Sequence, residues 1–424
     1  MAVRNAALER FLAATKECLP PIPQIARSQV VTQSQIVSPD HSARKYTAKQ
    51  LARIAHKHSQ EVSGGATSSN RPSNNVVARP WWAGKTLEIL HEFGHEELSS
   101  VMWASVHMRF KDQNGDPNNF HAKLIEHATR VPQTLPPKRI SQFILACAHL
   151  GVHPQTAVPL ANKLLQFNGR HTSGLNQLDG RGLANLVWSL AKMQTPPHSA
   201  APICERVLRV ALRWSKSIVS NDSVPKSCEC TWVAGELVTI IWALQKLSFL
   251  SVARQGNDVI SVLAKASVEL ARRDGDEVQI TTFANGLHAL VNAGCDEKDV
   301  LPLAKLLPKD LEAKKLSSAD LASVAWAVAK CNITDEDVMR KLFHFTSILH
   351  NRGHLSSQAL AVATWAIAEN VDSASFDALR NWSKDLISKM GAGDLSTSCL
   401  GLARGHIAIE IRNSLGEVNG GRSI

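Results

Sequence analysis

One ten-residue block returns eight times along this 424-residue chain, and that periodicity limits the fold more than any other feature. The copies are LSSVMWASVH (98–107), ISQFILACAH (140–149), LANLVWSLAK (183–192), LVTIIWALQK (237–246), FANGLHALVN (283–292), LASVAWAVAK (321–330), LAVATWAIAE (360–369) and LSTSCLGLAR (395–404). A weaker ninth copy, LARIAHKHSQ, starts at Leu51. The sixth position runs Trp103, Leu145, Trp188, Trp242, His288, Trp326, Trp365 and Leu400, at spacings of 42, 43, 54, 46, 38, 39 and 35. Position 1 is Leu, Ile or Phe in every copy, and positions 4, 5 and 8 are mostly apolar, which is one stripe at helical spacing. Position 7 is always Ala, Ser or Gly, small enough to let neighbouring helices approach closely. Cap donors stand ahead of several blocks, as in Ser317-Ser318-Ala319-Asp320 before Leu321.

A second helical pattern lies between the blocks, over Ile203–Trp214, Asp335–Leu349 and Ser373–Met390, joined by turn segments such as Thr195-Pro196-Pro197 and Asn332-Ile333-Thr334-Asp335. The unit is therefore a helix–turn–helix of roughly 40 residues. One such pair cannot bury its own apolar face, so stacked pairs must share a continuous core. The expected fold is all-α, an α-solenoid of about eight helix–turn–helix repeats. Residues 81–412 form the repeat domain in this reading, residues 1–80 a basic, partly disordered arm and linker, and residues 413–424 a polar tail. The longest spacing contains Ser217–Thr231, a polar segment with Pro225, read as a surface insertion.

Composition agrees with this fold and narrows the partners. Ten Trp against one Tyr leaves strand-forming aromatics thin. The sequence holds no apolar run of membrane-spanning length, and no membrane partner is expected. Lys plus Arg is 47 against 37 for Asp plus Glu, a net charge of +10 that favours an anionic partner, nucleic acid ahead of membrane. Residues 1–80 hold eleven basic and four acidic residues, so most of that charge lies in the first fifth of the chain. The segment Ser59–Arg79 is rich in Ser, Asn and Gly and reads as a flexible linker. The first 19 residues carry Arg4, Arg10 and Lys16 on a short amphipathic pattern that looks like an organellar transit segment, although Glu9 and Glu17 depart from it. The eight cysteines form no C-x-x-C and read as buried small hydrophobes of a reducing compartment.

The phrase L-A-x-x-x-W-A-x-A-K, present at Leu321–Lys330 and, with Ser at position 7, at Leu183–Lys192, resembles the octotricopeptide repeat. That family is typical of organellar RNA-binding proteins and is similar in style to the helical repeats of FASTK-like and RAP-domain proteins. The resemblance covers about residues 95–410, matches best over 283–404, and includes no RAP domain. It implies RNA processing, stability or translation in a mitochondrion, or alternatively a plastid. It also implies a role as a free factor or within a mitochondrial ribosome, among ribosomal proteins.

Two positions of the block suit such a role. Position 3 is Ser100, Gln142, Asn185, Thr239, Asn285, Ser323, Val362 and Thr397, seven of eight being neutral hydrogen-bonders able to meet base edges. Position 10 is His107, His149, Lys192, Lys246, Asn292, Lys330, Glu369 and Arg404, mostly basic and suited to phosphates. Seven residues make about two turns, so positions 3 and 10 share a face, with small position 7 as a shallow floor between them. A second basic stripe, Arg206, Arg209, Arg213 and Lys216, follows helical spacing and is another candidate for phosphate. The tryptophans of position 6 read as core wedges between helices, and Trp81-Trp82 as a cap on the solenoid's end.

The expectation is a non-catalytic protein, without cofactor or metal, that holds single-stranded or fragmented RNA, either rRNA or mRNA. The alternative is a protein–protein scaffold using the same concave face. A weak third reading is a zinc metalloprotease, because His91-Glu92-Phe93-Gly94-His95 matches H-E-x-x-H. That chemistry needs both His on one helix and a third ligand, whereas Gly94 favours a turn here and no third ligand follows at fixed spacing. Asp112–Asp116 hints at a calcium loop but has Lys123 where a bidentate Glu is needed, so it reads as a polar loop.

Overall fold

The computed structural model describes residues 45–64, 80–110, 119–130, 135–166, 174–220, 232–252, 258–274, 280–307 and 317–420. The N-terminal 44 residues, residues 65–79 of the linker, the polar loop 111–118 and residues 221–231 of the insertion therefore lie outside the described residues, as do Cys18, Cys228 and Cys230. The described chain is helical without a strand, and its helices pack against neighbours in sequence order as an α-solenoid. The chain divides into two units, Tyr46–Leu355 and one containing Ser356–Ile424.

In the first unit the helices are α1 (Ala48–Gly64), α2 (Trp81–Glu88), α3 (His95–Met108), α4 (Phe120–Arg130), α5 (Pro137–Leu150), α6 (Pro154–Gln166), α7 (Gly180–Lys192), α8 (Pro197–Val219), α9 (Ala234–Lys246), the single turn α10 (Phe249–Val252), α11 (Asp258–Asp274), α12 (Ile280–Asn292), α13 (Glu297–Ala304), α14 (Ser318–Lys330) and α15 (Glu336–Asn351). Each ten-residue block is the first helix of a hairpin. First helices pack on first helices in the order α1, α3, α5, α7, α9, α12, α14, and second helices follow in a parallel layer, α2 to α4, α6, α8, α11 and α13.

The layers are joined by the positions the repeat keeps apolar. Leu98, Ile140, Leu183, Leu237, Phe283 and Leu321 at position 1 are all buried, as are Leu124, Leu160, Val207, Leu263 and Val300 of the second layer. A few polar bonds fix the register between successive hairpins. The Ser141 hydroxyl donates to the Gly182 carbonyl at 2.7 Å, linking α5 to α7. The Ser261 hydroxyl donates to Asp299 at 2.8 Å, linking α11 to α13. Buried Lys341 on α15 donates to the Lys305 carbonyl at 2.8 Å and pairs with Asp337 at 2.7 Å. The caps follow the sequence: the Ser317 hydroxyl accepts from the Asp320 amide at 3.1 Å, and Asp320 accepts in turn from the Ser317 amide.

The weak copy at Leu51 is a real first helix. Leu51 and Ala55 of α1 are buried in its packing against α3. Trp82 is buried too, with its indole nitrogen donating to Nδ1 of His58 at 3.3 Å and its ring 5.9 Å from that of Phe120. Trp81-Trp82 therefore starts the second helix of an earlier hairpin instead of capping the end, and Ala48–Gly64 belongs to the layers instead of the linker.

The second unit holds α16 (Ser357–Ile367), α17 (Ser373–Leu386) and α18 (Ala392–Gly420). Here α16 packs against α18 with the same helix–helix contact, and α17 touches both. Helix α18 runs on through most of the segment read as a polar tail.

Candidate nucleic-acid interface

In every first helix from α3 to α14, positions 3, 6 and 10 reach the surface. Nearly everything else in the block is buried. These positions are three and four residues apart, one continuous face spanning about 10 Å along the axis. Repeated across six packed helices they make three parallel rows. The rows are neutral hydrogen-bonders at position 3, half-buried rings at position 6 except for Leu145, and exposed Lys, His and Asn side chains at position 10.

The outer row is His107, His149, Lys192, Lys246, Asn292 and Lys330, all exposed. Among the described residues no carboxylate lies within ion-pair distance of Lys192, Lys246 or Lys330. The rows are continuous between hairpins. Burial first and the Lys192 ammonium second push the His149 imidazole below its ordinary value, and His288 is lowered by burial and by Lys246 in the same way. Each imidazole thus feels the lysine of the adjoining helix and stays uncharged at neutral pH.

The middle row corrects the sequence reading. Trp103, Trp188, Trp242 and Trp326 are half-buried and flank the exposed cations, instead of filling the core. His149 lies between Trp103 and Trp188, with ring centroids 6.3 and 5.4 Å apart, and the His288 and Trp326 rings are 4.6 Å apart. Position 7, read as an open floor, is instead packed away between helices: Ala104, Ala146, Ser189, Ala243, Ala289 and Ala327 are essentially inaccessible. Its smallness serves helix contact, and position 6 forms the floor.

The row at position 3 is partly committed. The hydroxyls of Ser100, Thr239 and Thr397 donate to carbonyls of their own helices, those of Glu96, Gly235 and Gly393, at 2.9, 2.7 and 2.9 Å. They retain acceptor lone pairs only. Gln142 accepts from Arg139 at 3.1 Å and keeps its amide donor. Asn285 is exposed, and Asn185 and Ser323 are half-buried on the same row.

Other candidates are not brought to this face. In the second unit Arg404 is ion-paired with Glu369, the position-10 residue of the preceding copy, and position 3 there is Val362. The stripe Arg206, Arg209, Arg213 and Lys216 lies on α8, in the other layer. Arg206 is half-buried and Arg209 pairs with Glu205 at 2.6 Å, leaving Arg213 and Lys216 exposed without a carboxylate partner among the described residues. The H-E-x-x-H pentapeptide does not form one helix: His91 sits in a single 3-10 turn, Phe93 is extended and buried, and His95 begins α3. The paired-ligand geometry of a zinc protease is thus not formed, and no group of three or more His, Cys, Asp or Glu placed to hold a metal occurs among the described residues. No described helix is long and apolar enough to cross a membrane.

The thiols are mostly quiet. Cys147 and Cys204 are buried, as read from sequence, and burial pushes the Cys204 thiol up to about 12. Cys295 and Cys331 are half-buried and raised to about 12 and about 11, by burial first and nearby carboxylates second. Cys399, against expectation, is exposed.

Fold and surface together define an α-solenoid repeat protein with one patterned polar face. Compared with known proteins, the sequence matches no family model and no curated protein.

Proposed function

We propose that this chain is an organellar RNA-binding repeat protein of the octotricopeptide type that holds single-stranded or fragmented RNA along the first-layer face of Tyr46–Leu355. The observation that supports it most is the row of exposed Lys192, Lys246 and Lys330, with no carboxylate partner among the described residues, beside half-buried rings and neutral hydrogen-bonders. An ordinary solvated helix face mixes acids with bases, whereas these rows contain no carboxylate in the first unit. The cations neutralise phosphates, and Gln142, Asn185, Asn285 and Ser323 reach base edges. The site of action is the mitochondrion, with the plastid as alternative. The RNA is rRNA or mRNA, bound by a free factor or by a component of the ribosome, and the protein supplies binding without catalysis.

Titrating the full chain into labelled unstructured RNA over a series of salt concentrations tests this reading. Affinity should fall steeply as salt rises. Binding too weak to saturate even at low salt, with RNA absent from crosslinks made in the native compartment, contradicts it and favours a protein partner.

A further inference from the structure

We infer that the half-buried rings of position 6 are stacking platforms for unpaired bases, and that the bound strand lies with its phosphates over position 10 and its base edges toward position 3. This rests on the RNA reading above and adds a task to each row. Position 6 lies between positions 3 and 10 on every first helix, and on α7, α9 and α14 a nucleotide crossing the face meets a lysine, then a tryptophan, then a neutral hydrogen-bonder. That order matches the nucleotide itself, from charged phosphate through flat base to polar edge.

The rings are placed for it. Trp103 and Trp188 of position 6 flank the His149 ring of position 10, which fills the place left by Leu145 on the helix between them, and the position-6 rings of His288 and Trp326 adjoin over two helices. Uncharged imidazoles, like indoles, offer flat faces to bases. Unlike Trp82, each position-6 ring is left part-exposed beside the position-10 row. Successive helices stand about 8–10 Å apart, whereas stacked bases rise about 3.4 Å along a strand. A strand that sets bases on successive platforms must open its own stack, so an extended single strand fits and a duplex does not. Stacking tolerates any base, which leaves sequence preference to position 3.

The test compares a single-stranded oligouridylate with an abasic strand of equal length and charge, using the full chain. The wild type should bind the base-bearing strand tighter by at least about ten-fold, since each stacked base adds a multiplicative factor. Replacing Trp188→Leu and Trp326→Leu together uses the residue this fold already carries at Leu145, and should remove most of that preference. Lys192→Gln with Lys246→Gln should weaken both strands alike. Equal wild-type affinity for the two strands overturns the inference without any variant, while leaving the RNA reading standing. So does a double Trp variant that keeps the wild-type preference together with wild-type helicity. Failure to bind either strand sinks the RNA reading as well.

Discussion

Six first helices end the same way, two residues past position 10, with a backbone turned left-handed at Arg109, Gly151, Gln194, Ser248, Gly294 and Asn332. The following amide reaches back into the helix, as Thr195 does to the Leu190 carbonyl and Ile333 to the Val328 carbonyl. Gly151, Gly294 and Asn332 mark such ends in the sequence. Arg109, Gln194 and Ser248 do not, because hairpin packing imposes the conformation that their side chains resist. Gln194→Gly should therefore stabilise the protein by roughly 1 kcal/mol, read as a higher urea midpoint. An unchanged or lower midpoint would show that Gln194 bears no strain. His288 gives a pH prediction. Its folded value lies below the ordinary 6.5, because burial and Lys246 disfavour the charged ring. As pH falls through 6.5 the unfolded chain takes up the proton first, so stability is full above that value and declines toward the folded one. His288→Leu should flatten this part of a melting-temperature profile, and an unaltered slope would assign it to other groups.

Among the elements, the first helices were the most legible part of the chain. Their apolar stripe and small position 7 come directly from the block, and so does the Ser317 cap. The role of position 7 was harder to read, because a small residue suits an open floor and a tight contact equally well. Gly401 shows which applies: a Cβ there would stand 2.8 Å from the Trp365 backbone, where nothing can yield cheaply. Gly401→Ala should cost about 1–3 kcal/mol in denaturant titration, and a neutral effect would contradict close contact between α16 and α18. The tryptophans were misread because hydrophobicity alone places them in the core. The spacing from position 3 to 6 to 10 already put them on the polar face. Arg404 was misread because its partner Glu369 stands 35 residues away, beyond any local pattern. Arg404→Gln should lower stability by roughly 1.5 kcal/mol while RNA affinity stays within about two-fold. A large loss of affinity would return Arg404 to the interface.

At the scale of the whole molecule, a layered array makes stability a sum of hairpins and their nearest neighbours. The same arrangement copies one face many times, so a modest contact per helix becomes a continuous track. The sequence showed the order of the hairpins but understated their extent at the N-terminal side. The copy at Leu51 lacks both the position-6 Trp and a small position 7, so the sequence offered it only as a weaker ninth copy, and its packing on α3 places it in the first layer. In the proposed reading, the charge of this track selects RNA. The most direct measurement is the slope of log affinity for single-stranded RNA against log salt, for the wild type and for Lys192→Gln, Lys246→Gln and Lys330→Gln combined. Three lost phosphate contacts should flatten the slope by about two, with helicity unchanged. A slope equal to that of the wild type would contradict phosphate contact at the lysine row.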